Sequence, residues 1–239
     1  MTTQLIVKDV SAGYGDVTVL RRVSLRVDSP GITAIVGSNG AGKTTLLRTI
    51  VGLLRPTDGE ILFNGRRVNG LEPDEVVGCG IALVPEGRRL FAGMSVEDNL
   101  LMGTFSRRSA AAEINADLTE VYQLFPRLAE RRRQDAVSMS GGEQQMCAIG
   151  RGIMARPKLM MIDELSLGLA PVAVDELVEA LRSLSKTGIG LLVVEQDVAV
   201  AFDLSDNAIV MDRGQITREA PSRELAADPA VRAAYLGSA

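Results

Sequence analysis

The stretch Gly37-Ser38-Asn39-Gly40-Ala41-Gly42-Lys43-Thr44-Thr45 constrains this chain more than any other. It fits the pattern of a glycine, four residues and then Gly-Lys-Thr, in which a glycine-rich loop cradles phosphate. Upstream, Ile32 to Val36 is a short apolar run bounded by Pro30-Gly31. Downstream, Leu46, Leu47, Ile50, Leu53 and Leu54 recur at helical spacing. Strand, loop and helix therefore follow in the order the motif needs. Glycines at 37, 40 and 42 let the backbone wrap closely, so that its N–H groups and the helix N-terminus face phosphate oxygens. Lys43 is expected to reach the β- and γ-phosphates, and the Thr44 hydroxyl to complete a Mg²⁺ shell. The plain alternative is a glycine-rich turn that caps a core helix. The flanking strand and helix favour a nucleoside triphosphate, held by residues 37–45.

Composition narrows the class. With 239 residues, 46% hydrophobic and 23% charged, the chain has ample core for a globular protein. A net charge of -4 does not suggest a nucleic-acid surface, and Arg131-Arg132-Arg133 reads as a solvated helix end. No apolar run approaches the roughly 18 residues that a membrane-spanning helix requires. The Met-Thr-Thr-Gln start lacks a charged-then-apolar signal. Cys79 and Cys147 stand far apart without metal-ligand spacing and read as buried thiols in a reducing compartment. These features predict a soluble, cytoplasmic chain.

Residues 5–10 and 17–27 read as strands, and Val23, Leu25 and Val27 alternate with polar residues as in a half-exposed antiparallel sheet. Ala12-Gly13-Tyr14-Gly15 between them reads as a turn. Tyr14 is suited to stacking on an adenine ring, and equally to filling space beside a hairpin. Glu60 to Phe63 reads as a strand, closed by the tight hairpin signal Asn64-Gly65. Ile81 to Val84 reads as a buried strand that ends at Pro85-Glu86-Gly87. From about 87 to 155 the periodicity is helical (95–103, 113–125, 143–154), which suggests a helical subdomain inserted into one domain spanning 1–239.

Two motifs follow. In Met139-Ser140-Gly141-Gly142-Glu143, Ser140 and Glu143 form a capping box. Two glycines at a helix start also expose N–H groups suited to an anion. Then Leu159-Met160-Met161-Ile162 runs into Asp163-Glu164, two acids whose charge is costly at a buried strand end unless offset. Mg²⁺ beside Thr44 offers that offset, with Asp163 in the metal shell directly or through water. Glu164 is then placed to polarise the water that attacks the γ-phosphate. A solvated Asp-Glu turn is the plain alternative. A helix over 172–186, strands at 189–194 and 208–211, and short helices from 223 to 236 complete an α/β alternation. That alternation argues for a mainly parallel sheet covered on both sides.

A phosphate loop, then S-G-G-E-Q-Q, then an apolar strand ending in Asp-Glu arrive in one order. Together they resemble the ATP-binding subunit of ABC transporters over essentially the whole chain. The resemblance implies a P-loop NTPase of ABC cassette architecture, with an N-terminal antiparallel β subdomain and the inserted helical one. It implies ATP and Mg²⁺ as ligands, and two cassettes, a copy or a paralogue, facing head to tail. Ser140, Gly141 and Gly142 would contact the γ-phosphate bound by the partner. Tyr14 falls where the family keeps its adenine-stacking aromatic. The helical subdomain would dock a membrane permease of two subunits, with 86–90 as the hinge that reports the phosphate. The chain would lie on the inner face of the cell membrane.

P-E-G-R-R-L-F (85–91), S-L-G-L-A-P (166–171), V-E-Q (194–196) and A-Y-L-G (234–237) resemble one subgroup, the shorter ATPase of branched-chain amino-acid importers. A substrate-binding protein would then be an indirect partner. Against most cassettes, Glu86 replaces a Gln, and its carboxylate is still a Mg²⁺ ligand. Gln196 replaces a switch His; it donates a hydrogen bond to the γ-phosphate but carries no proton. The sequence accordingly predicts ATP hydrolysis without the limb near neutrality that a His would add. Ala170 replaces an Asp and removes one cross-dimer contact. Leu165 replaces the usual Pro, which bears on the loop geometry beside both acids. Two other classes fit less well. A soluble assembly ATPase, such as that of iron–sulfur cluster assembly, does not account for the 85–91 and 166–171 segments. A binding module with dead chemistry does not account for intact Lys43, Asp163 and Glu164.

Overall fold

The computed structural model describes residues 3–107 and 110–236. Strands β1 (Thr3–Tyr14) and β2 (Val17–Ser29) form an antiparallel pair, followed by β3 (Gly31–Val36) and helix α1 (Lys43–Ile50). Next come β4 (Asp58–Phe63), β5 (Arg66–Arg67), α2 (Pro73–Gly78) and β6 (Ile81–Val84). Four helices then run without an intervening strand: α3 (Val96–Leu101), α4 (Ala111–Leu124), α5 (Pro126–Glu130) and α6 (Gly141–Met154). The chain returns through β7 (Leu159–Asp163), α7 (Pro171–Ser185), β8 (Gly190–Glu195), α8 (Val198–Leu204), β9 (Asn207–Asp212) and β10 (Gln215–Pro221), and ends in short helical turns.

Two sheets organise these strands. The first is ordered β2-β1-β4-β5 and is antiparallel; the second is ordered β10-β9-β3-β8-β7-β6, with only β10 running against the rest. The hairpin at Asn64-Gly65 forms because both residues take positive φ, 52° and 79°, as its turn type demands.

The parallel sheet is buried on both faces, as alternation along its strands shows. On β7 and β8, Leu159, Met161, Leu192 and Val194 pack into the core under the antiparallel sheet and α1. Their neighbours Met160, Ile162, Leu191 and Val193 pack against α6 and α7 on the other side. Each such side chain contributes roughly 1.5–3 kcal/mol on burial. This double burial fixes the strand register, and the register fixes where the strand ends fall.

Two expectations are corrected. Residues 12–14 are strand, with Ala12 paired to Leu20 and Tyr14 to Val17, so the turn shortens to Gly15-Asp16. Cys147 is buried, but Cys79 is only half-buried. Sequence periodicity also passes over α2, α8 and β10, of which β10 stands at a sheet edge where its residues are mostly exposed. The end of the 234–237 segment, Gly237, lies outside the described residues.

Candidate nucleotide site

Because β3, β8, β7 and β6 are parallel neighbours, their carboxyl ends open onto one edge. In register, Val36 pairs with Glu195, Asp163 with Val194, and Val84 with Ile162. The residues just beyond these ends, from the phosphate loop, Gln196, Glu164 and Glu86, are thereby brought together. Ligands of open α/β sheets bind outside such strand ends. An open cleft of about 410 Å³ lies there, lined among others by residues 39–45, Glu86, Glu164 and Gln196.

The loop that follows β3 is held tightly. The Ala41 N–H donates to the Ser38 carbonyl at 3.1 Å, and the Gly214 N–H donates to the Ala41 carbonyl at 2.9 Å. A Cβ on Gly37 would stand 2.2 Å from the Met211 carbonyl oxygen, so only glycine fits. Gly42 caps α1 with φ 103°, offers no side chain to the first turn, and that turn carries no acid. The free N–H groups of α1 are therefore left for an anion. Lys43 is 5% exposed; its Nζ donates to the Gly37 carbonyl at 2.8 Å and lies 3.5 Å from Glu164 Oε1.

Thr44 Oγ1 donates to Asp163 Oδ1 at 3.2 Å. Burial raises the Asp163 carboxyl to about 6, the charges of Glu164 and Glu86 add to the rise, and Thr44 and Lys43 oppose it. Among the described residues no three His, Cys, Asp or Glu side chains are gathered tightly enough to hold a metal alone. Mg²⁺ does not ask for that, since it keeps waters and takes phosphate oxygens beside one or two protein ligands. A hydroxyl, a buried carboxylate that forms no ion pair among the described residues, and Glu86 nearby are hard oxygen donors that fit Mg²⁺.

Glu164 takes φ 55°, unusual for a residue with a side chain, and its N–H donates to the Val194 carbonyl at 2.9 Å. Leu165, where a Pro is usual in such loops, is fully buried and leaves Asp163 and Glu164 at the strand end. Sequence reasoning did not single out Glu195, the last residue of β8. It is 1% exposed, and burial raises its carboxyl to about 7, with Glu164 adding to the rise. It entered the sequence reading only as the middle of V-E-Q (194–196), with no role attached. Val19 and Leu167 also line the cleft unforeseen. Burial thus shifts both Asp163 and Glu195 toward neutrality, at two carboxylates and without a histidine.

Four predicted residues of the nucleotide set, Tyr14, Ser140, Gly141 and Gly142, stand apart. Tyr14 does not line the cleft; it is exposed, and its hydroxyl accepts a hydrogen bond from Arg48 of α1 at 3.4 Å. Ser140 caps α6 with the reciprocal Glu143 contact, so the capping box is present. Gly141 and Gly142 open that helix, and a Cβ on Gly142 would stand 2.7 Å from Ala173 Cβ. Residues 140–142 do not line the cleft of their own chain.

A family model described as "ABC transporter" matches residues 20–166. The high-affinity branched-chain amino acid transport ATP-binding protein BraG of Pseudomonas aeruginosa is 42% identical, covering 95% of this chain and 97% of that protein. A probable branched-chain amino acid transport ATP-binding protein, LivF of Archaeoglobus fulgidus, is 31% identical over 90% of this chain and 91% of its own. Among solved structures, a nucleotide-free ATP-binding cassette from an ABC transporter superposes with a TM-score of 0.87 at 25% identity, covering 99% and 100% of the two chains. A dimeric ATP-binding cassette in a post-hydrolysis state, bound to ADP and Pi, superposes with a TM-score of 0.81 at 25% identity, covering 92% and 99%.

Proposed function

The chain belongs to the ABC transporter family, and on that premise we propose that it is the ATPase subunit of a branched-chain amino-acid importer. The observation that carries the reading is the 42% identity to BraG across nearly all of both chains. The cleft supports the chemistry, since one sheet edge gathers Lys43, Thr44, Glu86, Glu164 and Gln196.

In this reading residues 37–45 wrap the phosphates and Lys43 neutralises charge on the β- and γ-groups. Thr44, Asp163 and Glu86 hold Mg²⁺, which when bound neutralises charge developing on the phosphates. Glu164 accepts the proton of the attacking water as its oxygen bonds to the γ-phosphorus and the bond to the ADP oxygen breaks. Gln196 donates its amide to the γ-phosphate and Tyr14 stacks on the adenine. Ser140, Gly141 and Gly142 serve the nucleotide of a facing second cassette, which accounts for their distance from their own cleft. That cassette is a paralogue or a second copy.

The segment from about 87 to 155 docks a permease of two subunits, and a substrate-binding protein delivers the amino acid from the other side. Among the described residues no helix is long and apolar enough to cross a membrane, so attachment to the inner face rests on the permease. A tagged Glu164→Gln chain, pulled down from detergent-solubilised native membranes with ATP, tests this. Two multi-span permeases and a second cassette are expected. Recovery with soluble proteins alone would overturn the transport reading.

A further inference from the structure

We propose that Glu195 is a positioning residue for ATP hydrolysis, whose buried carboxylate ties the Ser166 turn to the Gln196 backbone and so holds Glu164 and Gln196 in one frame. The proposal rests on the reading above, in which Glu164 and Gln196 act at the γ-phosphate.

The tie uses both carboxylate oxygens. Oε1 accepts from the Ser166 N–H at 2.7 Å; Oε2 accepts from the Ser166 hydroxyl at 3.0 Å and from the Gln196 N–H at 3.1 Å. Among the described residues Glu195 forms no ion pair. A buried carboxylate without a cation is expensive, and three converging donors are what offset that expense here.

The arrangement fixes the catalytic segment from both sides. Glu164 sits at φ 55°, and a residue with a side chain stays in that region only when its surroundings over-determine it. Its own N–H is bound to the Val194 carbonyl, and two residues later Ser166 is bound twice to Glu195. Glu195 is also the residue immediately before Gln196. One carboxylate thus sets the Glu164 turn relative to the Gln196 turn, although it lies beneath both and does not line the cleft.

Glutamine at this position keeps the volume but cannot keep the tie. If its oxygen faces the Ser166 N–H, its NH₂ meets the Gln196 N–H, donor against donor. If it is flipped, the Ser166 N–H loses its acceptor instead. Either way one backbone donor is left unmet and one of the two γ-phosphate groups is released from the frame.

The test is steady-state ATP hydrolysis at pH 8, where Glu195 is ionised, by the full-length wild-type, Glu195→Gln, Ser166→Ala and doubly substituted chains, with ATP binding and melting measured on each at that pH. For Glu195→Gln, kcat is expected to fall about tenfold or more, while KM and ATP affinity stay within about twofold and the melting point does not drop. Ser166→Ala removes only the hydroxyl bond and is expected to cost about two- to threefold in kcat, with a less than additive effect in the double variant. An unchanged kcat in Glu195→Gln, or a fall matched by lost ATP affinity and a lower melting point, would overturn the proposal. Fully additive losses would do the same. A wild-type chain that does not hydrolyse ATP would overturn the underlying functional reading as well, whereas an active wild type with an equally active Glu195→Gln variant would overturn this proposal alone.

Discussion

Lys43 Nζ lies 3.5 Å from Glu164 Oε1, with the two side chains only 5% and 11% exposed. The cation of the phosphate loop and the acid at the β7 strand end therefore face each other in the cleft. In the proposed reading, phosphate oxygens compete with Glu164 for Lys43, and nucleotide binding would free the carboxylate for the attacking water. Binding and chemistry are thus separable at two residues.

Glu164→Gln keeps the shape of the site and removes the proton acceptor. Turnover is expected to fall by about 10²–10⁴-fold while nucleotide affinity is retained. Lys43→Ala should instead abolish binding. Equilibrium binding of a fluorescent ATP analogue, measured beside phosphate release, separates the two effects.

The raised carboxyls give a signed pH dependence. Asp163 moves from 3.8 to about 6 and Glu195 from 4.5 to about 7, so the folded chain binds protons that the unfolded chain releases. Their contribution to stability is full below about pH 4 and is lost as pH rises through 6 to 7. For Glu195 this amounts to on the order of 3 kcal/mol between pH 4 and 8. Melting of the nucleotide-free chain at pH 5.5 and 8 should show the fall, and Glu195→Gln should flatten it.

Ser140 closes α6 at its N-terminus through the reciprocal contact with Glu143. Ser140→Ala should cost about 1 kcal/mol in urea denaturation. Its effect on turnover should exceed its effect on ATP affinity if, as proposed, the residue serves the facing cassette. Mixing Ser140→Ala with Lys43→Ala chains tests the point: heterodimers retain one intact composite site.

Asp117, 2% exposed, is bound by Arg107 on one oxygen and by Arg156 on the other, at 2.7 Å from Nε. Arg107 also donates to the Met154 carbonyl at 2.9 Å, so this cluster fastens α4 to the far end of the α6 helix. Asp117→Asn removes the charge both arginines meet and should destabilise the chain by about 3 kcal/mol. Chemical denaturation with and without ATP measures it.

Much of this architecture is legible because its signals are local. Residues 37–45 carry their own turn chemistry, Ile81 to Val84 and Leu159 to Ile162 are continuous apolar runs, and Ser140 with Glu143 spells a helix start. Tyr14 was misplaced in a turn because glycines flank it on both sides, whereas pairing with Val17 keeps it in the strand. Glu195 was passed over for a different reason. An acid after five buried residues looks like any solvated strand end, and only the return of the Ser166 turn, 29 residues earlier in the chain, buries it. The relation of Ser140 to a nucleotide is beyond one chain altogether, since its own cleft lies elsewhere.

The most direct measurement is uptake of labelled leucine, isoleucine and valine by cells lacking this chain, complemented with the wild type or with Glu164→Gln. We predict that deletion abolishes high-affinity uptake, that the wild type restores it, and that Glu164→Gln does not although it assembles with the permease. Undiminished uptake in the deletion strain, with the purified chain still hydrolysing ATP, would contradict the assignment to amino-acid import.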